Sequence, residues 1–430
     1  MSLSSIPASV IDLLQIEKLV QGGSGLGRAN NRVIFVPYTI PGETVAVQVT
    51  REKKDYAEGV IHKLLTPSAL RREPLCPVFQ ICGGCQLQHL PEEAQMRYKV
   101  EALNEAFSRL NQIKPVACLP PISSPKPFYY RTRARFKVKN GKIGFYEKRQ
   151  HHLVPISNCP LLIPDLNKML AFIADNLPLS SLEEVEIQGN DAQEILLILF
   201  GRTVALPQKF YERAEEALSP ISLKGIVLYT DADRPGRGSR HKRGQDYLDY
   251  NGFGKRFKVS DRSFSQANPS IQPLLVNHLL EWMRPVLSNA VLELYSGVGN
   301  FTSAIAPHVK AVTAIEGNRW AAADARLNIA GLNNVEVISS STEEEIKRIP
   351  MGGYEKIFLN PSRSGASPAV LQGLLHLLPT QILYLSCNPS TLVRDLRVLA
   401  GPHYQVTRIQ PFDMFPQTGH LEVMAELVRQ

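Results

Sequence analysis

The sequence predicts an α/β chain in three parts: a small antiparallel β-barrel, an α+β middle region and a doubly wound, mostly parallel sheet. Three observations carry this. Short β-rich runs alternate with turn signals from residue 14 to 66. A mixed stretch of strands and helices with clustered Cys and Arg follows. From about residue 262, short apolar strands alternate with helical segments of about ten residues, the pattern of βαβ crossovers. With 430 residues, 44% hydrophobic and 20% charged, the chain has core enough for roughly two to four domains. No stretch approaches the roughly 20 uninterrupted apolar residues of a membrane helix. The opening MSLSSIPASVIDLLQIEKLV lacks a basic segment followed by an apolar block, so a cytoplasmic location is expected and the six Cys are expected to be thiols. A net charge of +8, from 48 Lys plus Arg against 40 Asp plus Glu, suits a polyanionic partner without identifying one.

The barrel is expected within 1–66. Pro41-Gly42 marks a tight turn, and Gly22, Gly23, Gly25 and Gly27 mark a loop that bends sharply. An OB-like nucleic-acid module and a solubilising β appendage both fit. The middle region, 67–262, begins with a Cys-bearing, turn-rich stretch. A helix at about 91–111 follows, with Met96, Val100, Leu103, Phe107 and Leu110 on one face; it could pack on the last domain. In KPFYYRTRARFKVKNGKIGFYEKRQ, Arg131, Arg133, Arg135, Lys137 and Lys139 recur at a spacing of two, which on a strand puts all five cations on one face. That face suits phosphate, with Phe128, Tyr129, Tyr130 and Phe136 as stacking surfaces for unpaired bases; the alternative is a solvated strand face with its aromatics in the core. ILLILF reads as a buried strand, FYERAEEAL as a helix, and DRPGRGSRHKRG as a basic loop or hairpin tip.

The last region, 263–430, carries the chemistry. Leu292 to Asn300 (LELYSGVGN) runs a strand into a Gly-rich turn, where Gly297 and Gly299 let backbone amides approach a ligand. Glu316 ends the next strand, about twenty residues on, where a carboxylate can accept both hydroxyls of a ribose. A dinucleotide fingerprint wants a third Gly at 302, which here is Thr, so the pattern favours S-adenosylmethionine over NAD.

Cys387 follows the apolar run ILYL in Ser-Cys-Asn-Pro-Ser-Thr, so a strand delivers it to the crevice edge. A thiolate there could add to C6 of a pyrimidine and turn C5 into a nucleophile for a sulfonium methyl. A base must then remove the C5 proton; Glu422 in Thr-Gly-His-Leu-Glu-Val is the best candidate and His420 the second. The plainer alternative makes Cys387 a buried small hydrophobe and Glu422 a solvated strand residue. Cys76, Cys82 and Cys85 stand as C-x5-C-x2-C, with Cys159 74 positions later. Four thiols in a reducing compartment suggest metal ligation, with tetrahedral zinc and a cubane cluster both open. Cys118 matches nothing and is expected to pack.

These motifs in order carry a resemblance over nearly the whole length: the barrel, the four Cys, YRTRARF at 130–136, FSQAN at 264–268, LELYSGVGNF at 292–301, SCNPSTLVRDL at 386–396 and DMFPQTGHLE at 413–422. The chain resembles the S-adenosylmethionine-dependent RNA uracil-5 methyltransferases, in the branch with an N-terminal TRAM barrel and an iron–sulfur cluster. The resemblance implies that Cys387 is the nucleophile and Glu422 the base. It also implies that Gln266, Tyr295, Asn300 and Glu316 contact the cofactor with Ser341 nearby, and that the four Cys hold a [4Fe-4S] cluster. Asp413 and His420 belong to the terminal motif without assigned chemistry. The family's Asp-Pro-Pro-Arg is here Asn360-Pro361-Ser362-Arg363; Asn360 is placed with the cofactor-side residues, and because Asn both accepts and donates, cytosine stays open beside uracil. The partner expected is RNA, ribosomal before transfer, with no membrane and a monomeric chain. A catalytically inactive RNA-binding or ribosome-assembly factor is the alternative from another class.

Overall fold

The computed structural model describes residues 10–108, 116, 118–148, 150–202, 208–230, 239–252 and 255–430. Strands β1 (Val10–Leu19), β2 (Ser24–Ala29), β3 (Arg32–Pro37), β4 (Thr44–Glu52) and β5 (Tyr56–Thr66) close a barrel in the order β1-β2-β3-β5-β4. Alternation drives it: Leu14 and Ile16, Ile34 and Val36, and Val45, Val47 and Val49 point inward as one buried core. Closure leaves no unpaired sheet edge.

Helix α1 (Glu92–Ser108) comes next, and its apolar stripe leaves the middle region. Met96, Val100, Leu103 and Phe107 pack with Leu292, Leu294, Ile357 and Leu359 of the last domain, as the sequence allowed. Leu110 lies outside the described residues. The middle sheet contains β6 (Arg133–Lys139), β7 (Lys142–Tyr146), β8 (Leu153–Pro155), β9 (Leu182–Gly189), β10 (Glu194–Gly201), β11 (Ser222–Thr230) and β12 (Ser239–Gly244), in the order β12-β11-β10-β9-β6-β7-β8. Helices α2 (Pro164–Asn176) and α3 (Gln208–Ala217) cover it, with Leu166, Met169, Leu170 and Ile173 of α2 fully buried. Part of the expected basic loop, Ser239–Gly244, is thus an edge strand paired with β11; residues 231–238 lie outside the described residues.

The cationic row expected on β6 does share one face, and the neighbouring strand sets carboxylates against it. Strand β9 pairs with β6 so that Arg135 lies opposite Glu186 and Lys137 opposite Glu184. Arg133 and Arg135 both bond the Glu186 carboxylate, at 2.7 and 2.8 Å, and Lys137 pairs with Glu184. A charge already matched across the sheet has little left for phosphate. Arg135, stacked over Phe200, keeps its side chain half exposed; Arg133 is mostly covered, and Arg131 precedes the strand and turns elsewhere. Phe136 and Tyr130 are in the core, leaving Tyr129 exposed.

A hairpin, β13 (Tyr247–Gly252) and β14 (Lys255–Ser260), links to the last domain. That domain runs α4 (Gln272–Met283), β15 (Ala290–Leu294), α5 (Asn300–Ile305), β16 (Ala311–Glu316), α6 (Arg319–Asn328), β17 (Val335–Ser339), α7 (Thr342–Glu345), β18 (Lys356–Leu359), α8 (Pro368–Leu377), β19 (Gln381–Ser386), α9 (Pro389–Leu399), β20 (Tyr404–Phe412) and β21 (Glu422–Arg429). The sheet order is β17-β16-β15-β18-β19-β21-β20; β15 to β19 are parallel and β21 is antiparallel to both neighbours. Both faces are covered, which is why the strands read as continuous apolar runs. Leu292, Leu294, Ile357 and Ile382 face α1, α8 and α9, while Val291, Phe358 and Leu383 face α4 and α5. The hairpin is clamped to α6: Asn328 bonds both the N–H and the carbonyl of Lys258, and Asp324 accepts from Ser260 and Ser263. Cys118 packs against the main core and bridges to Ile409. No described helix is long and apolar enough to cross a membrane.

Candidate active site

Open parallel sheets place their crevice at the strands' C-terminal edge, where the order reverses, here between β15 and β18. The sequence-chosen residues lie along that edge in strand order. Ser341 follows β17, Glu316 ends β16, Tyr295 to Asn300 follow β15, Asn360 follows β18 and Cys387 follows β19. Because β21 runs the other way, its first residue, Glu422, is at the same edge.

The turn after β15 is bent by three left-handed residues in five: Tyr295 at φ 62°, Gly297 at 59° and Gly299 at 85°. Tyr295 has a Cβ and adopts this conformation only because the fold holds it there. A Cβ on Gly297 would meet nothing within 4 Å, so the turn faces open space. Glu316 is tied to the same turn, accepting from Gly297 N at 2.8 Å and Asn318 N at 2.6 Å. Asn360 N donates to Leu294 O at 3.3 Å, drawing the β18 loop to the crevice. Ser341 caps α7 by accepting from Glu344 N. Gln266 hangs in a segment fixed at both sides, with Ser263 O accepting from Arg133 Nη1 at 2.7 Å before it, and Ala267 O accepting from Thr132 N at 3.0 Å and Asn268 donating to Met414 O at 2.9 Å after it.

Ser386 pairs with Val423 across β19 and β21, so one further step sets Cys387 beside Glu422. The thiol feels the carboxylate's charge. Burial and the neighbouring Glu422 raise the Cys387 thiol, while the nearby Arg363 counteracts this. Glu422 is 2% exposed, and burial pushes its carboxyl up to about 8 against the attraction of Arg363. Glu422 is therefore no solvated strand residue. His420 is exposed at the rim; desolvation by surrounding chain and the cations Arg363, Lys99 and Arg131 lower its pKa, so it is neutral at neutral pH.

The loop carrying Glu422 is built from below. Lys99 of α1 donates to Asp413 Oδ1 at 2.8 Å and to Phe415 O at 3.3 Å, both side chains being almost fully buried. Gln95 and Gln417 bond each other through backbone and side chain, and Tyr130 donates to Pro416 O. Sequence reasoning missed this network, although a Gln and a Lys four residues apart beside the apolar stripe of α1 were its visible trace. It also missed Arg363, which stands in the motif quoted for Asn360, and the buried acid Glu293, which burial pushes up to about 8 and which accepts from Thr302 at 2.6 Å.

Cys76, Cys82, Cys85 and Cys159 line one cavity of about 390 Å³. Gly83 N bonds Tyr146 O, Cys76 N bonds Gln88, and Asn167 brackets Cys159 through its N–H and carbonyl. Arg131 joins the lining, and its buried Nε has no hydrogen-bond partner among the described residues. Among the described residues no group of three or more His, Cys, Asp or Glu is disposed to hold a metal ion. The same segment reaches the active site: Gln86 N and Leu87 N donate to Gln417 O, and Gly419 N donates to the Gln86 side chain.

Comparison with known proteins identifies the family and the fold. A family model described as tRNA (Uracil-5-)-methyltransferase matches residues 92–430, and a TRAM domain model matches 12–61. A 23S rRNA (uracil(1939)-C(5))-methyltransferase of Photorhabdus laumondii is 33% identical over 418 residues, covering 94% of this chain and 93% of its own. That of Cronobacter sakazakii is 34% identical over 419 residues, with 94% and 93% covered. The crystal structure of the Pyrococcus abyssi tRNA (uracil-54, C5)-methyltransferase, in complex with S-adenosyl-L-homocysteine, shares the fold at a TM-score of 0.76 and 24% identity, covering 97% of this chain and 100% of that one. From the matched length and the identity to these relatives, the chain belongs to the tRNA (uracil-5-)-methyltransferase family.

Proposed function

We propose that this protein methylates C5 of a uridine in structured RNA through a transient bond between Cys387 Sγ and C6 of the base. The observation that carries this is Cys387 paired with a fully buried Glu422 at the edge of a sheet whose neighbouring turn can cradle a nucleoside. The open space at Gly297 fits a ligand pressed close to backbone, and Glu316, fixed by two amides, keeps lone pairs for a ribose. S-adenosylmethionine, when bound there, supplies an electrophilic methyl group. Arg363 steadies the thiolate that adds to C6 and leaves the electron pair on C5. After methylation Glu422 takes the C5 proton, the C5=C6 bond re-forms and the thiolate leaves. C6 is shielded above and below in a stack, so the target nucleotide must be unpaired or extruded.

Uridine is favoured by the family, ribosomal RNA by relatives that match the chain across the barrel and named for 23S rRNA. Asn360 supports cytosine as the second substrate, because its amide can donate as well as accept. RNA carrying tritium at C5 separates the two: tritium is expected in water from uridine RNA and not from cytidine RNA. Release from cytidine RNA alone would overturn the choice of base, and release from neither would remove the reaction.

For the cavity of about 390 Å³ lined by four thiols, where no group among the described residues is disposed to hold a single metal ion, the reading preferred is a cluster over zinc. A tetrahedral zinc with bonds of about 2.3 Å needs its sulfurs nearly in contact, whereas a cubane holds them further apart around a bulky anionic body. The unpartnered Nε of Arg131 suits such an anion. Cys76, Cys82, Cys85 and Cys159 would be its ligands, in a structural role. Protein purified without oxygen is expected to contain iron and acid-labile sulfide in equal amounts, both lost in Cys85→Ser. Zinc without sulfide would refute the assignment.

A further inference from the structure

The glycine-rich turn between β1 and β2 is wedged between both loops of the site. A Cβ on Gly419, in the loop leading to Glu422, would stand 2.4 Å from the backbone carbon of Gly22. Gly23 is buried against Gln86 and Leu87, the residues whose amides hold Gln417 O. Beside them Gln21 reaches the nucleophile loop from a distance of more than three hundred residues in sequence. Its Nε2 donates to Asn388 Oδ1 at 3.0 Å, and its Oε1 accepts from Ser390 Oγ at 2.5 Å. Asn388 caps α9, the residue directly after Cys387, and its Nδ2 donates to Arg363 O at 3.0 Å. The positive charge of Arg363 acts on the Cys387 thiol and draws its pKa down against the effect of burial.

We propose that Gln21 is a positioning residue for the nucleophile, acting through Asn388 to hold Cys387 and Arg363 in register, so that the barrel is part of the catalytic frame. Each amide in this chain has a fixed orientation. The Asn388 oxygen must face Gln21 and the Ser390 N–H because its nitrogen is committed to Arg363 O. Losing Gln21 leaves the Asn388 oxygen short of a donor and frees the loop that carries the thiol. A carboxylate at 21, the same size, would set an anion against the Asn388 oxygen and break the link as fully as alanine does.

The inference rests on the thiol mechanism above, and its test separates the two. Gln21→Ala and Gln21→Glu are each expected to lower kcat about tenfold, the scale of one lost positioning hydrogen bond, with KM for RNA unchanged. The acid limb of kcat/KM is expected to move to higher pH, because Arg363 no longer steadies the thiolate. Alkylation of Cys387 by iodoacetamide without RNA, followed on its tryptic peptide, is expected to slow in parallel; this readout needs no methyl transfer. In an Asn388→Ala background, removing Gln21 is expected to add nothing. A rise in KM for RNA with kcat intact would make Gln21 an RNA contact and overturn the proposal. Independent, multiplying losses from Gln21 and Asn388, or wild-type kinetics in Gln21→Ala, would overturn it too. A Cys387→Ala protein that still methylates would instead remove the thiol mechanism itself.

Discussion

Cys387→Ala is expected to lose methylation by roughly 10⁴-fold or more and to form no RNA adduct, while Glu422→Gln is expected to accumulate an adduct that survives denaturing electrophoresis. The asymmetry follows from the order of steps. Without the thiol, C5 is never activated; without the carboxylate, the methylated ring keeps its C5 proton and cannot expel the sulfur. The pH dependence sharpens the test. In the proposed mechanism both groups are anionic during turnover, yet burial raises both and the Glu422 charge raises the thiol further. Wild-type kcat/KM is therefore expected to climb with pH through about 8, with midpoints belonging to the pair. In Glu422→Gln the opposing charge is gone, so adduct formation is expected to rise at lower pH than wild-type turnover does. The same shift has a stability consequence. A carboxyl raised from 4.5 to about 8 on folding contributes its full stability below 4.5 and loses it as pH rises through 8, so Glu422→Gln is expected to melt higher than wild type at pH 9 and no higher at pH 4. Equal turnover in the Ala variant, or no adduct in the Gln variant at any pH, would end the assignment.

Lys99→Met is expected to cost about 3 to 5 kcal/mol, because it leaves the Asp413 carboxylate buried without its cation. The methionine keeps the stem that packs beside the apolar stripe of α1, so the loss reports the charge. Asp413 begins the loop that ends at Glu422, and methylation is expected to fall with stability. The double variant Lys99→Met with Asp413→Leu is expected to regain most of the melting temperature and little of the activity. Calorimetry decides it: a single variant melting with the wild type would mean that the pair is not holding the loop.

The doubly wound domain was legible because strands buried on both faces read as apolar runs, and each ended in a residue with something to do. Glu316, Cys387 and Glu422 could be chosen before their edge was known. The cationic row on β6 was legible as a face, but its carboxylate partners were not, for a physical reason. A spacing of two reports which side chains share a face, and it is silent on what the next strand presents to them. The missing signal was present in Glu184-Val185-Glu186, carboxylates at the same spacing fifty residues on, and only strand pairing joins the two rows. Arg363 and Gln21 were invisible for a related cause: a turn motif marks where the chain bends, and which loop it bends against is decided by tertiary packing.

Helix α1 carries a consequence for how this molecule comes into being. Its apolar stripe leaves the ribosome nearly two hundred residues ahead of β15, the first strand it will cover. Until β15 and then β18 follow, Met96 and Leu103 lack the strand surface they cover in the fold, a state in which nascent chains attract chaperones or one another. The sheet of the last domain is thus covered by a wall made long before it, and closing that long loop is expected to be late in its assembly.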